Sequence, residues 1–343
     1  MAGQVTLSDV AREAGVSLAT ASRALNGSAN RTVGADLRQR VQIAATRLRY
    51  SPDGIAQAMA RGRTTALGLV VHDIADPTAA AITAGVAAAA EEAGLTITLA
   101  CTGADPVRQV EVVASMERNR ARGVVLVGGL AGDAATDAAL RAALDSFRAV
   151  GGAVAVIGRG DLGGDTVVVG DRDGAADLAR ALHGRGYRRF AVLGGSDGHV
   201  AAAERRDGFA DALAELGAPV PDHRLLTGEA TRDGGHEAMT RLLAARGDVE
   251  AVFAVSDAMA LGALAAAREA GVSVPGDLAL AGFDGVDALR DVVPGLSTVR
   301  LPLARIGAEA TRLALQPTGS DPVHVPVAGV VVLGETTPVL ATR

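Results

Sequence analysis

Lysine and tryptophan are absent from this chain, and all 33 of its permanently basic residues are arginine. Beside the heavy use of alanine, this marks a compositional bias of the source genome rather than a functional choice. Aromatic residues make up only 2% of the chain, so stacking platforms are scarce. The one cysteine, Cys101, excludes an internal disulfide and any cysteine-rich zinc site. It falls in an apolar strand pattern, which predicts a buried core position. Histidines and carboxylates nowhere adopt metal-ligand spacing, and neither a P-loop nor the dinucleotide glycine fingerprint occurs, so no cofactor and no metal are expected. No apolar stretch is long enough to span a bilayer and no signal peptide is recognisable, which predicts a cytoplasmic protein without membrane contact.

What is present is concentrated near the N-terminus. Leu7, Val10, Ala11 and Ala14 fall at i, i+3, i+4 and i+7, one apolar helical face. Thr6 stands where an N-cap belongs, and Gly15 where a left-handed stop is cheapest. Val16 then fills an angle, and Ser17 caps a second helix that buries Ala21, Ala24 and Leu25. This is the helix-turn-helix pattern, in which the first residues of the second helix meet base edges in the major groove. Leu18, Ala19, Ser22, Arg23 and Asn26 face outward. Arg23 suits a bidentate pair with guanine O6 and N7, and Leu18 and Ala19 suit apolar contact with a thymine methyl. Thr6, Ser17, Thr20, Ser22 and Asn26 suit phosphate oxygens, which set register. The plainer alternative is a helical hairpin packed on a larger domain. Charge favours DNA: residues 1–63 hold nine arginines against Asp9, Glu13, Asp36 and Asp53, a net +5, while the whole chain is −6, leaving −11 on the remainder.

A third helix over Ala35–Arg49, with Leu37, Val41, Ala44 or Ala45, and Leu48 inward, completes a small core. Tyr50-Ser51-Pro52 ends it, and Pro52 can open another short helix to about Arg61. Gly54 and Gly62 each weaken that helix by up to about 1 kcal/mol relative to alanine. It then forms only when DNA or a partner copy supports it. Ala56 and Met59 share a face suited to wedging into a minor-groove step. A plain interdomain linker is the equal alternative.

From Ala66 onward strands and helices alternate. Strands are expected at Ala66–Val71, Thr96–Ala100, Gly123–Val127 and Ala153–Ile157, with helices at Ala79–Ala93, Pro106–Arg120 and Asp137–Val150. Val167–Val169 opens a second series, with helices near Gly174–His183, Val200–Leu216, Gly234–Arg246 and Met259–Ala270 and strands near Arg189–Leu193, Ala251–Val255 and Leu278–Gly282. Gly94, Gly217 and Gly271 each follow a helix end as stops. Alternating units imply parallel sheets covered on both faces. The fold class expected is an all-α helix-turn-helix head plus an α/β body of two doubly wound parallel-sheet lobes. The expected divisions are residues 1–50 for the head, 51–63 for a hinge and 64–343 for the body. The N-lobe would span about 64–166 and 299–322, and the C-lobe about 167–298 and 323–343.

Val5 through Asn26, Tyr50 through Gln57, Ala251 through Gly262, Val274 through Asp284 and Pro294 through Arg300 together resemble the lactose/galactose repressor (LacI/GalR) family of bacterial transcription regulators, over nearly the whole chain. The resemblance implies lobes like those of periplasmic binding proteins, with three crossings between them. It also implies hinge helices that pair in a dimer and insert an apolar residue into the minor groove, here Met59. The partners it implies are a double-stranded DNA operator, a small polar effector such as a sugar, and a second copy of the chain, with a tetramer left open. Gly34 replaces the usual serine cap of the third helix. Asp76-Pro77-Thr78-Ala79 replaces a loop that often carries two aromatic rings, and Gly158 replaces an aspartate.

Ligands of such sheets bind beyond the carboxyl ends of the strands. Asp171, Ser256, Asp257 and Asp284 follow strands, and Arg205 lies on the helix after one. Carboxylates and an arginine fork suit neighbouring hydroxyls or a ligand carboxylate. Family positions matching Asp171, Arg205, Ser256 and Asp284 contact effectors; Asp257 is read instead as a helix cap or lobe bridge. Two alternatives compete with a regulator. Gly194-Gly195-Ser196-Asp197-Gly198 matches the nucleophile elbow of α/β-hydrolases, with Asp284 and His324 following in order, but an oxyanion segment is missing and no enzyme is expected. A stand-alone sugar-binding protein is the other, and residues 1–63 discriminate, because a secreted binder is expected to carry a signal peptide there.

Overall fold

A computed structural model describes residues 5–26, 33–50, 63–103, 105–128, 133–195, 198–245, 247–316 and 321–340. The expected hinge helix, with Ala56 and Met59, lies outside the described residues, as does Ser196. The chain divides into two compact units between Thr64 and Thr65.

In the first unit, α1 (Leu7–Ala14) starts at a reciprocal cap. The Thr6 hydroxyl accepts from the Asp9 amide, and the Asp9 carboxylate accepts from the Thr6 amide at 3.0 Å. Gly15 ends the helix at φ 63°. Helices α2 (Leu18–Asn26) and α3 (Ala35–Arg47) close the bundle over Val10, Ala11, Ala14, Ala21, Ala24, Val41, Ala44 and Ala45. So small an apolar core needs help. Arg40 donates to the Ala14 carbonyl at 2.7 Å, and Arg47 pairs with Glu13 at 2.8 Å, tying α3 to α1. Gly34 precedes α3 without a side-chain cap, as its lack of a side chain dictates.

In the second unit, β1 (Ala66–Val71), β2 (Thr96–Cys101), β3 (Gly123–Val127), β4 (Ala153–Ile157), β5 (Asp165–Val169) and β11 (His324–Val327) form one parallel sheet in the order β11-β5-β4-β3-β1-β2. Helices α4 (Pro77–Glu92) and α11 (Leu303–Leu313) pack together against it. Helices α5 (Pro106–Arg118) and α6 (Ala134–Ala149) bury Val113, Met116, Leu140, Leu144 and Phe147 in a separate cluster with Val70, Leu126 and Val156. A second parallel sheet takes the order β7-β6-β8-β9, from β6 (Phe190–Gly194), β7 (Leu225–Thr227), β8 (Ala251–Ala254) and β9 (Ala279–Ala281). It is flanked by the helix pair α7 (Asp171–Gly184) and α8 (Val200–Glu215), and by α9 (Arg232–Ala244) and α10 (Asp257–Glu269). Phe209 of α8 stacks on Phe253 of β8 at 4.4 Å and meets Phe190 edge-on at 5.8 Å. An antiparallel ribbon of β10 (Thr298–Arg300) and β12 (Val330–Val332) completes this unit.

Three expectations need correction. The Val167–Val169 run does not open the second lobe: it belongs to β5, which pairs with β4 through Ala155↔Asp165 and lies inside the first sheet, between β4 and β11. Its connection from β4 is a 3-10 turn over Gly160–Leu162, too short to show as a helix in the pattern. The segment from 323 likewise begins in the first lobe, because β11 pairs with β5; only after Val327 does the chain cross to β12. Cys101 is exposed, since β2 is an edge strand of that sheet; Leu99 beside it is 41% exposed. Alternation cannot reveal which strand lies at an edge. Helix α11 was also not anticipated, although Leu303, Ile306, Ala310 and Leu313 recur at helical spacing.

Helices α9 and α10 approach so closely that glycine is required at the crossing. A Cβ on Gly262 would sit 1.8 Å from the Arg232 carbonyl oxygen, and one on Gly235 would sit 2.1 Å from that of Met259. Gly262→Ala is expected to force the pair apart and cost about 1–3 kcal/mol, read as a lower urea midpoint for the body. An unchanged midpoint would mean that the helices do not meet there.

Candidate functional site

Both sheets reverse strand order where the chain must leave a gap: between β1 and β3 in the first, and between β6 and β8 in the second. The carboxyl ends at such switch points are where an open α/β sheet binds ligands. His72 follows β1, Gly128 follows β3, and the segment to His199 and Arg205 follows β6. Val255 and Ser256 follow β8. The ends of β1, β3, β4 and β5, with the segment after β6, face one cleft, lined by His72, Asp76, Ile157, Asp171, His199 and Arg205 among others.

Arg205, on α8, is the centre of the cleft's polar floor. Its Nε donates to Asp171 Oδ1 at 2.7 Å, and its Nη1 donates to the Val255 carbonyl at 2.9 Å. Asp284 Oδ1 lies 2.9 Å from Nη1 as an ion pair, without an aligned hydrogen bond. The guanidinium also lies 4.1 Å over the ring of Phe283, a cation–π contact. All three charged side chains are buried. Burial works against the arginine's charge, but Asp171 and Asp284 outweigh it and hold its pKa above the ordinary value. Burial pushes the Asp171 carboxyl up, against the pull of Arg205. For Asp284, burial raises the pKa to about 7 against the pull of Arg205, with Asp257, Asp76 and Asp171 adding to the rise.

Asp284 is held in a backbone conformation, φ 114°, that L-residues rarely adopt. Asp257 holds it there. Its Oδ2 accepts from the Gly285 amide at 2.7 Å and the Val286 amide at 3.1 Å, and its Oδ1 accepts from the Thr298 hydroxyl at 2.7 Å. Its own amide donates to the Phe283 carbonyl at 2.7 Å. A Cβ on Gly282 would meet Asp257 Oδ1 at 2.4 Å, and one on Gly285 would meet Arg300 Cα at 2.6 Å, so only glycine fits on either side. Burial lifts the Asp257 carboxyl to about 6, against those three hydrogen bonds.

Of the four expected effector residues, Asp171, Arg205 and Asp284 come together. Ser256 is instead the N-cap of α10, its hydroxyl accepting from the Met259 amide at 3.2 Å, and Asp257 is the first helical residue. His72 and His199 were missed. Each immediately follows a strand or precedes a helix at a switch point, and that position alone could have found them.

In the head, Leu18 is 51% exposed and Ala19 is exposed. Ser17 and Thr20 share a hydroxyl bond at 2.8 Å while Ser17 caps α2. The Thr6 hydroxyl is engaged by Asp9 at 2.7 Å. Arg23 donates from Nε to the Ala19 carbonyl at 2.9 Å, so its side chain lies along its own helix. Ser22 is half-buried, and Asn26 ends α2.

Comparison with known proteins places both units. Residues 6–53 match the family described as bacterial regulatory proteins, lacI family, and residues 179–337 match a periplasmic binding protein-like domain. The transcriptional regulator GalS of Salmonella typhimurium is 34% identical over 314 residues, 91% of this chain and 89% of that protein. Among solved structures, the transcriptional regulator CelR in complex with cellobiose is 30% identical, with a TM-score of 0.71, covering 97% of this chain and 100% of that one. The lac repressor dimer bound to operator has a TM-score of 0.84 at 22% identity, covering 98% and 100%, which speaks for the fold.

The raised carboxyls fix a sign for pH dependence. An Asp284 carboxyl with an ordinary value of 3.8 when unfolded and about 7 when folded binds its proton more tightly in the folded state. Folding stability from this group is greatest below the ordinary value and falls as pH climbs from about 4 to about 7; Asp257 acts in the same direction. Asp284→Asn should show a shallower loss of melting temperature across that interval than the parent, and parallel profiles would contradict the assignment.

Proposed function

The chain belongs to the lacI family of bacterial regulatory proteins, and on that premise we propose that it is a cytoplasmic, ligand-responsive repressor that binds a near-palindromic operator as a homodimer. It is a DNA-binding transcription regulator rather than an enzyme. The hydrolase alternative lacks support in the fold as well. His324 lies on β11 of the first sheet, beside Gly160, whereas Asp284 follows β9 of the second.

The observation that carries the proposal is a two-lobed cleft whose floor holds Asp171 and Arg205, the latter paired with the buried Asp284, in the same chain as a helix-turn-helix head. The cluster is costly to keep in place unless its outward groups are used, because buried charges gain little net stability from their partners. A small polar, sugar-like effector is the reading these groups support, with Asp171, Arg205 and Asp284 as its contacts and Ser256 as the cap beside them. The cellobiose complex of CelR supports the ligand class.

We assign residues 1–50 to DNA reading, 51–63 to a hinge that reaches the minor groove through Ala56 and Met59, and 64–343 to effector binding. Leu18, Ala19 and Arg23 read base edges, while Thr6, Ser17, Thr20, Ser22 and Asn26 set register on phosphates. A two-fold dimer meets a two-fold site. Effector binding alters DNA affinity, and by linkage DNA alters effector affinity by the same factor.

Arg23→Ala should cost about 1–3 kcal/mol at one base position and relax specificity there, measured against an operator selected from random oligonucleotides and its single-base variants. Unchanged discrimination would remove Arg23 from the base edges. Asp284→Asn should abolish the change in operator affinity that a bound effector causes while operator binding persists; a full response would remove Asp284 from the effector site.

A further inference from the structure

We infer that the ligand of the interlobe cleft carries neighbouring hydroxyls but no phosphate or carboxylate, and that His72 and His199, one from each lobe, line its site and hydrogen-bond to it. The inference rests on the reading of this cleft as the effector site and narrows what it admits.

The charge of the cleft comes first. Arg205 is the one arginine lining it among the described residues, and its Nε and Nη1 are turned inward to Asp171, Asp284 and Val255. Two carboxylates already neutralise that guanidinium, and Asp76 adds a third acidic group to the wall. A ligand phosphate or carboxylate would enter next to these carboxylates with no unmatched cation to receive it, which disfavours it on Coulombic grounds. A hydroxyl meets no such penalty. It can donate to a carboxylate such as Asp171 or Asp76, which line the cleft, and accept from a neutral N–H.

The His199 imidazole supplies such an N–H. The rings of His72 and His199 face each other edge to face across the cleft, with centroids 6.3 Å apart and planes at 87°. His199 is the N-cap of α8, and its Nδ1 accepts from the Ala202 amide at 3.3 Å. That bond leaves the proton of the neutral ring on Nε2, as a donor. The ring stays neutral well below neutral pH. Burial, the nearby Arg205 and the facing His72 depress its pKa to about 4. Glu204 on its own helix, Asp171, Arg172 and Asp173 on α7, and Arg159 and Asp161 from the first lobe border the adjoining opening. Arg159 is spent on Asp137 and Asp161, at 2.7 Å from each, and Arg172 is paired with Asp211 and, at 3.6 Å, with Glu204. Contact between rings from opposite lobes also makes the pair sensitive to closure, because separating the lobes exposes both.

Two measurements on the full-length protein test this. The first needs no ligand. The His199 ring resonance, identified by its loss in His199→Asn, which keeps a competent cap, is followed at pH 6 in sodium chloride and in sodium phosphate. It should report a neutral ring protonated at Nε2 in both. A ring that becomes charged in phosphate would show that the cleft gathers anions and would overturn the proposal. The second compares galactose with galactose 1-phosphate, glucose with glucose 6-phosphate and ribose with ribose 5-phosphate by calorimetry. A neutral sugar should bind about tenfold or more tightly than its phosphate, and lose about tenfold or more of that affinity in His72→Asn and His199→Asn. A phosphate that binds as well as its parent sugar, or histidine variants that bind unchanged, would overturn it. Should no sugar of either kind bind, the sugar reading of the site fails, while the phosphate comparison still decides the exclusion of anions.

Discussion

A guanidinium buried between two carboxylates sets the terms for the body of this protein. Arg205 cannot be neutralised by losing its proton, so the fold has to bring acids to it, and it draws them from separate segments of the second lobe: Asp171 at the start of α7 and Asp284 after β9. Each carboxylate loses its water in so dry a place, which is why burial is the largest cause of the rise of each. The glycines beside Asp284, its left-handed backbone and the anchoring role of Asp257 follow from the need to deliver one carboxylate to one arginine.

The three crossings of the chain between the lobes lie close to this cluster. Gly170 immediately precedes Asp171, Leu301 donates to the Asp284 carbonyl at 3.0 Å, and the third passes from β11 to β12 at Ala328-Gly329. A rotation of one lobe against the other has to be absorbed at these points. Occupancy of the cleft and the angle between the lobes are therefore controlled by neighbouring residues, which is the physical requirement for a ligand to bias one arrangement over another.

The head uses the same few polar groups for more than one purpose. Ser17 caps α2 by accepting from the Thr20 amide, shares a hydroxyl bond with Thr20, and lies at the turn expected to meet DNA, while Arg23 rests on a carbonyl of its own helix. An exposed hydrogen bond of this kind is worth little net, so exchanging it for a base edge costs little. Stability in this unit comes from tight caps, small buried residues and the ties from α3, leaving Leu18 and Ala19 at the start of α2 exposed.

Local patterns were enough to locate the helix-turn-helix, most strands of both lobes and the glycine stops, because capping, period and left-handed turns are decided within a few residues. The sequence also placed Asp171, Arg205 and Asp284 at strand ends or on the following helix. Which sheet a strand joins was not local information: β5 and β11 reach the first sheet through hydrogen bonds to partners whose identity no short window contains. The exposure of Cys101 depends on β2 lying at an edge, and the facing of His72 and His199 depends on how two lobes close. Hydrophobic period and cap chemistry act along the chain and are written in it, whereas strand pairing and lobe closure act across it and emerge only when distant segments pack.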